Sequence, residues 1–273
     1  MKPGGFVRGA MWAGFLFLWL PILLLVGFAF SADRIPFQWG GFSLRWFGAL
    51  AANEKLLAAA WLSLRIAAAS ACLAVVLGGG IGFVLARFGP FRGRAAFGAL
   101  AGAPLVLPEV VMGLCLLLLF VALEGLLGWP AGRGAFTILL AHAGFAAAYV
   151  AVLVQARLAE ADRSLEEAAM DLGATPFVAF RSVTLPLMAP ALLAGWLLAF
   201  TLSLDDVVIA SFVSGPAGTT LPIALFSMLR LGLTPEVNAL AALVVAAAGA
   251  MLGLGLWLLR PKRRHDSAKA GGA

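Results

Sequence analysis

The sequence predicts an all-α membrane protein built on six transmembrane helices, and three observations carry that prediction. Of its 273 residues, 63% are hydrophobic and 12% charged, with a mean hydropathy of +1.02; a soluble domain is about half apolar and a quarter charged. Such a chain cannot cover itself with polar surface in water. Six apolar stretches, at 11–31, 60–86, 99–123, 136–156, 187–213 and 236–259, reach the roughly 20 residues that a membrane-crossing helix needs. These Leu/Ala/Val runs lack the period-two alternation of a barrel strand, so only helices can close their backbone hydrogen bonds inside hydrocarbon.

Taken in order, residues 1–10 form a short N-terminal segment with Lys2 and Arg8. The first span ends in Ala29-Phe30-Ser31, a passable cleavage site, but its apolar core outruns the ~7–15 residues of a signal peptide, so it reads as an uncleaved anchor. The second span holds Cys72. The third holds Cys115 and the stretch "APLVLPEVVMG", where Pro104 and Pro108 remove backbone donors and break the helix. Neither cysteine has metal-ligand spacing, and both read as packing residues. The fourth span contains His142, read as a satisfied interior histidine. The fifth contains the paired acids of "TLSLDDVVIASFVSGP", and the sixth leads into a basic tail, 260–273. Residues 11–259 thus form one transmembrane domain, interrupted by a polar segment at 157–186.

Charge placement sets the orientation. Arg87, Arg92, Arg94, Arg157, Arg163 and Arg181 join the N-terminal segment and the tail on one side, and the opposite side is poor in Lys and Arg. By the positive-inside rule both termini and the 157–186 segment are cytoplasmic. The net charge of +6 raises nucleic acid as a partner. Confinement of the charge to loops on one side points to membrane orientation instead, with lipid rather than nucleic acid around the chain.

The polar segment reads as two short helices. Ser164 and Glu167 fit a capping box, Ala168, Ala169 and Met170 favour helix, and Gly173 stands where a left-handed residue ends one. Thr175 and Pro176 restart the chain as N-cap and first helical residue. Phe177, Val178, Phe180 and Val183 follow, and Leu185-Pro186 is expected to close the second helix before the fifth span. A connector lying on lipid headgroups is rich in Lys and Arg. This one carries Glu160, Asp162, Glu166, Glu167 and Asp171, which suits a protein partner that receives a helix in a groove.

The spacing Glu167-Ala168-Ala169, three residues, Gly173, nine residues, Val183-x-Leu185-Pro186 resembles the EAA loop of ABC importer permeases, with Val183 where the family usually has isoleucine. The resemblance implies a type I ABC importer permease fold, with a first helix that wraps a partner subunit, a five-helix core and 214–235 facing outward. It implies that Glu167, Ala168, Ala169, Asp171, Gly173, Thr175, Pro176, Leu185 and Pro186 couple the chain to a separate cytoplasmic ATPase. The chain has no G-x-x-x-x-G-K-[ST] loop to cradle phosphates, and no Ser/His/Asp or metal constellation. It is therefore read as no enzyme, without catalytic residues, metal site or cofactor of its own. ATP and Mg would be bound by the ATPase.

Ionisable residues inside spans cost about 2.5–3.5 kcal/mol each at the helix centre and by default mark function. Glu109, at the proline break, reads equally as a cap of the second half-helix and as a substrate contact. Asp205 and Asp206 repel each other and call for a cation, a proton, water, or a structural partner such as Arg65 or Arg230. Lying 19–20 residues past Pro186, at about 1.5 Å each they reach the outer half of the bilayer, where an acidic vestibule favours a cationic substrate. Asp206 is the preferred ligand of the two. The lone tyrosine, Tyr149, offers a cation–π face; Trp196 could as well, but reads better as packing.

Over its whole length, through "EEAAMDLGATP", "GWLLAFTLSLDDVVIASFVSGP", "TTLP" and "PEVNALA", the chain is similar to the putrescine and spermidine permeases of polyamine-importing ABC transporters. That resemblance places Asp205, Asp206 and Ser203 on the substrate path. It implies a bacterial inner-membrane location, a second permease in a heterodimer, an ATPase dimer and an extracytoplasmic polyamine-binding protein. Two other readings stand beside it. An ion-gradient transporter would show two related halves with broken helices in corresponding places, and no such repeat is seen. A related permease for an anion is disfavoured by the intramembrane acids.

Overall fold

A computed structural model describes residues 4–35, 38–216, 218–231 and 235–258, with backbone alone for residues 231, 247–248 and 251–258. Lys2 and the basic tail at 260–273 lie outside the described residues. In chain order the helices are α1 (Gly5–Phe28), α2 (Arg45–Ala52), α3 (Glu54–Arg87), α4 (Arg94–Val106), α5 (Glu109–Leu127) and α6 (Ala135–Glu160). They continue with α7 (Ser164–Asp171), α8 (Pro176–Ala179), α9 (Leu185–Asp205), α10 (Val208–Val213), α11 (Leu221–Leu231) and α12 (Pro235–Leu258). Among the described residues, five helical stretches are long and apolar enough to cross a membrane: α1, α3, α5, α6 and the run Pro176–Asp205. The sixth predicted span coincides with α12.

The chain divides into two compact units. The first joins Met1–Asn53 to Leu231–Ala273. In it α12 packs against α1 and α2, and no residue of α1 is buried. Ser31 organises the turn after α1: its hydroxyl donates to the Gln38 carbonyl at 2.8 Å and accepts from the amides of Asp33 and Gly40, while the Trp46 indole donates to its carbonyl at 2.8 Å.

The second unit, Glu54–Arg230, is built on α3, α6 and α9. Lipid tails are as apolar as leucine, so close backbone approach through small residues must hold helices together. Gly78 and Gly82 of α3 meet α6 so closely that a Cβ on Gly82 would lie 2.6 Å from the Ala151 carbonyl and 2.9 Å from the Val154 side chain. Around that crossing Ala71, Ala74, Ala146, Val150, Val154 and Met188 form one core. A second core gathers Ile66, Phe120, Ile138, Phe145, Ile209 and Val213 where α10 closes on α5 and α6.

Four expectations need correction. The third span, predicted over 99–123 with both Pro104 and Pro108 breaking it, breaks at Pro108 alone. Pro104 lies inside α4, and the break falls at Leu107-Pro108. The pre-proline residue is driven extended (φ −74°, ψ 135°), because the proline ring disfavours the helical region before it. The fifth span, predicted over 187–213, stops at Asp205. Asp206 is extended (φ −67°, ψ 126°), and α10 is a separate helix.

Leu185-Pro186 does not close the second short helix. The helix runs on through a π-turn, Phe180–Thr184, into α9. Proline has no amide to give and clashes with the carbonyl four residues back, and a widened turn relieves both problems. The capping box at Ser164 is also absent. The Asp162 carboxylate accepts from the Ser164 amide at 2.9 Å, which does the work assigned to the serine hydroxyl.

Candidate functional site

The first candidate is the break between α9 and α10. Asp205 is the last residue of α9 and is exposed. Asp206, one residue on, faces inward and is fully engaged. One carboxylate oxygen accepts from the Ile209 amide at 3.2 Å, and the other accepts from the Ala210 amide at 2.7 Å and meets His142 Nε2 at 3.0 Å. Short acidic side chains compete well for the free amides of a helix's first turn, so Asp206 both ends α9 and starts α10.

His142 projects from α6, and its Nδ1 lies 2.7 Å from the Ser203 hydroxyl. The side chains of His142 and Asp206 are 3% and 10% exposed. A carboxylate can only accept, so Nε2 carries the hydrogen. The ring therefore spans the final turn of α9, holding Ser203 and Asp206 together. Among the described residues this histidine is the side-chain partner of Asp206, and neither Arg65 nor Arg230 pairs with either aspartate. The Arg230 guanidinium lies over the Phe226 ring at 4.6 Å.

The other residues proposed for the path divide. Ser203 is buried with its hydroxyl on His142. Tyr149 is half-buried and edge-on to Phe145 at 5.4 Å. Glu109 opens α5 and is exposed, and the residue before that helix, Pro108, offers no side-chain cap. One turn further, Gly113 admits Phe212 and Ile209 of α10, so Glu109 stands a helical turn from the crossing with α10. Trp196 takes the packing role, with its indole on the Cys72 sulfur at 3.3 Å and its ring stacked on Phe200. Cys72 and Cys115 are free and exposed.

The second candidate is the 157–186 segment. α7 closes with the Gly173 amide on the Met170 carbonyl at 2.9 Å and the Ala174 amide on that of Ala169 at 3.0 Å. This is a Schellman ending, and Gly173 has φ +93°, a conformation glycine adopts without penalty. The Thr175 hydroxyl accepts from the Val178 amide at 3.4 Å, and Pro176 is the first helical residue. Glu167, Ala168 and Asp171 are exposed and Ala169 is half-buried. So are two large apolar side chains that water would not leave uncovered: Leu172 is 91% exposed and Phe177 71%. Leu185 and Pro186 are exposed on the run into α9. Hydrogen bonds from Ser164, its amide foremost, hold the Asp162 carboxyl below the usual carboxylate range.

Sequence reasoning missed how this segment is fastened. Arg87, at the end of α3, pairs with Glu166 at 2.8 Å and donates to the carbonyls of Leu158 and Ala161. Thr184 donates to the same Glu166 oxygen at 3.0 Å, and Arg163 donates to the Ala86 carbonyl at 2.6 Å. Glu166, counted among the acids offered to a partner, is thus spent inside the chain. No local pattern links residues 79 positions apart.

Comparison with known proteins agrees with this architecture. The family model described as "Binding-protein-dependent transport system inner membrane component" matches residues 78–265. The chain is 54% identical over 246 residues to the putrescine transport system permease protein PotI of Escherichia coli (strain K12), covering 90% of this chain and 87% of that one. It is 40% identical over 261 residues to the spermidine/putrescine transport system permease protein PotC of Haemophilus influenzae, covering 95% and 98%. Among solved structures, a bacterial ABC transporter involved in import of the acidic polysaccharide alginate superposes with a TM-score of 0.66 at 17% identity, over 93% of this chain and 94% of that one. An amino acid ABC transporter gives 0.52 at 19% identity, over 79% and 98%. At those identities the two structures speak for the fold alone.

Proposed function

The chain belongs to the family of binding-protein-dependent transport system inner membrane components, and from that premise we propose that it is the permease of a polyamine-importing ABC transporter. It is a multi-pass inner-membrane protein that forms the path for putrescine, and in second place spermidine. In this reading α12 is the sixth span and both termini are cytoplasmic. A second, different permease completes the path, a dimeric ATPase binds ATP and Mg, and an extracytoplasmic binding protein delivers the polyamine.

One observation carries the mechanism. The run Pro176–Asp205 is a single 30-residue helical stretch, about 45 Å long at 1.5 Å per residue. One end bears the exposed Leu172–Phe177 knuckle and the other ends in the exposed Asp205. The ATPase closes on α7 and α8; since α8 continues into α9, the displacement is delivered to the helix end carrying the carboxylate. Asp205 meets an ammonium group of the substrate through a charge-assisted hydrogen bond, and Glu109 adds negative potential from the start of α5.

The test is reconstitution in vesicles with the ATPase, the second permease and the loaded binding protein. Gly173→Asp puts a side chain where φ is +93° and a charge on the docking surface. Insertion of the chain should be retained, while ATPase binding and putrescine uptake fall at least tenfold. Normal uptake by the Gly173→Asp complex sinks the docking assignment.

A further inference from the structure

We propose that His142 is a positioning residue that divides the labour of the twin aspartates. It withdraws Asp206 from the path and leaves Asp205 as the one carboxylate of the pair that the substrate amine meets. The proposal rests on the polyamine-path reading and assigns a residue that reading does not use.

Two adjacent carboxylates at the end of a transmembrane helix repel each other and compete for the same cation. The geometry resolves the competition. Both oxygens of Asp206 are occupied, by two amides of α10 and by His142 Nε2. With three contacts already on a side chain only 10% exposed, Asp206 has little surface left to offer a cation. Among the described residues no side chain hydrogen-bonds to Asp205, which stands exposed one residue away.

The histidine reaches the pair from a different helix. It is buried on α6 and grips the end of α9, through Ser203 in its last turn and through Asp206, the residue that follows it, three residues apart. Residues three apart lie on one helical face, so the ring bridges a single turn. In the same act it sets the direction in which the next residue back, Asp205, leaves the helix. A glutamine or asparagine at position 142 has a different reach between its donor and acceptor and cannot make both contacts from one planar ring.

The experiment is a double-mutant cycle on putrescine uptake at saturating loaded binding protein, in the reconstituted complex, with assembly checked by co-purification of the ATPase. Asp205→Asn should cut uptake at least tenfold in the otherwise native chain. In the His142→Gln background, where Asp206 is released to meet the amine, the same substitution should cost at least threefold less. A purely structural histidine leaves the two effects multiplicative, so an Asp205→Asn penalty that is equal within twofold in both backgrounds overturns the proposal. So does an assembled Asp206→Asn complex that loses uptake as steeply as Asp205→Asn with His142 in place. Should His142→Gln fail to assemble, His142→Asn, which is also unable to make both contacts, serves as the background for the same cycle, read in the same way. Failure of the underlying path reading looks different: Asp205→Asn then leaves uptake unchanged in every background.

Discussion

Arg87 is the residue through which the 157–186 segment is joined to the helix bundle, and its environment says how firmly. Its side chain is 7% exposed and that of Glu166 17%, and the guanidinium also donates to two carbonyls, at the end of α6 and in the turn beyond it. Removing one partner of a buried pair costs about 3–5 kcal/mol, because the other charge is left without compensation. Arg87→Ala should therefore lower the thermal midpoint of the detergent-purified chain sharply, and Arg87→Lys should fall between the two. Lysine keeps the charge but not the planar fork that reaches several acceptors at once. A lysine variant as stable as the native chain would mean that the charge alone matters. This residue was visible in the sequence only as one more cytoplasmic arginine. Gly173, Thr175 and Pro176 were legible in detail because cap and turn chemistry is local. Arg87–Glu166 and His142–Asp206 were not, because their partners come together only once α3, α6 and α9 have packed.

Helices α3 and α6 meet through glycines, and there the sign of a substitution depends on which face it falls. A Cβ at Gly82 runs into the backbone of α6, whereas one at Gly80 meets nothing within 4 Å. Gly82→Ala should destabilise the isolated chain by about 1–3 kcal/mol, the usual cost of overpacking. Gly80→Ala should be neutral or stabilising by up to about 1 kcal/mol, since alanine restricts the unfolded chain and favours helix. Equal shifts from the two variants, measured as denaturation midpoints in one detergent, would contradict the crossing described. At this scale the sequence carried helix existence well and helix ends poorly. Apolar length located helix in all six predicted stretches, five of the helical runs being long enough to cross a membrane, but a run of apolar residues does not record where Asp206 will take the amides of the next turn, nor that a π-turn will carry the chain past Pro186. Pro108 was the exception: its effect on Leu107 is local, so the break in the third span was foreseen even though Pro104 proved harmless.

At the scale of the second unit, the arginines do more than count as cytoplasmic residues. Arg87, Arg94, Arg157 and Arg163 all donate to carbonyls or carboxylates around the end of α3, the end of α6 and the start of α9, so one end of this unit is basic and knitted together. The opposite end is closed by glycine contacts, with Gly215 against Arg133 and Gly218 against Gly134. Since Lys and Arg near span ends fix orientation, the basic end is assigned to the cytoplasm, and this can be tested without the partner subunits. In a chain with Cys72 and Cys115 replaced by serine, one cysteine is introduced at Ser164, exposed at the start of α7, or at Thr219, exposed before α11. Gly218 is unsuitable because a side chain there would press on Gly134 at 2.9 Å. An impermeant maleimide added to intact cells should label Thr219→Cys and spare Ser164→Cys. In inverted vesicles the pattern should reverse. Labelling of both positions from the same side overturns the orientation, and with it the assignment of α7 and α8 to an ATPase that exists on one side of the membrane alone.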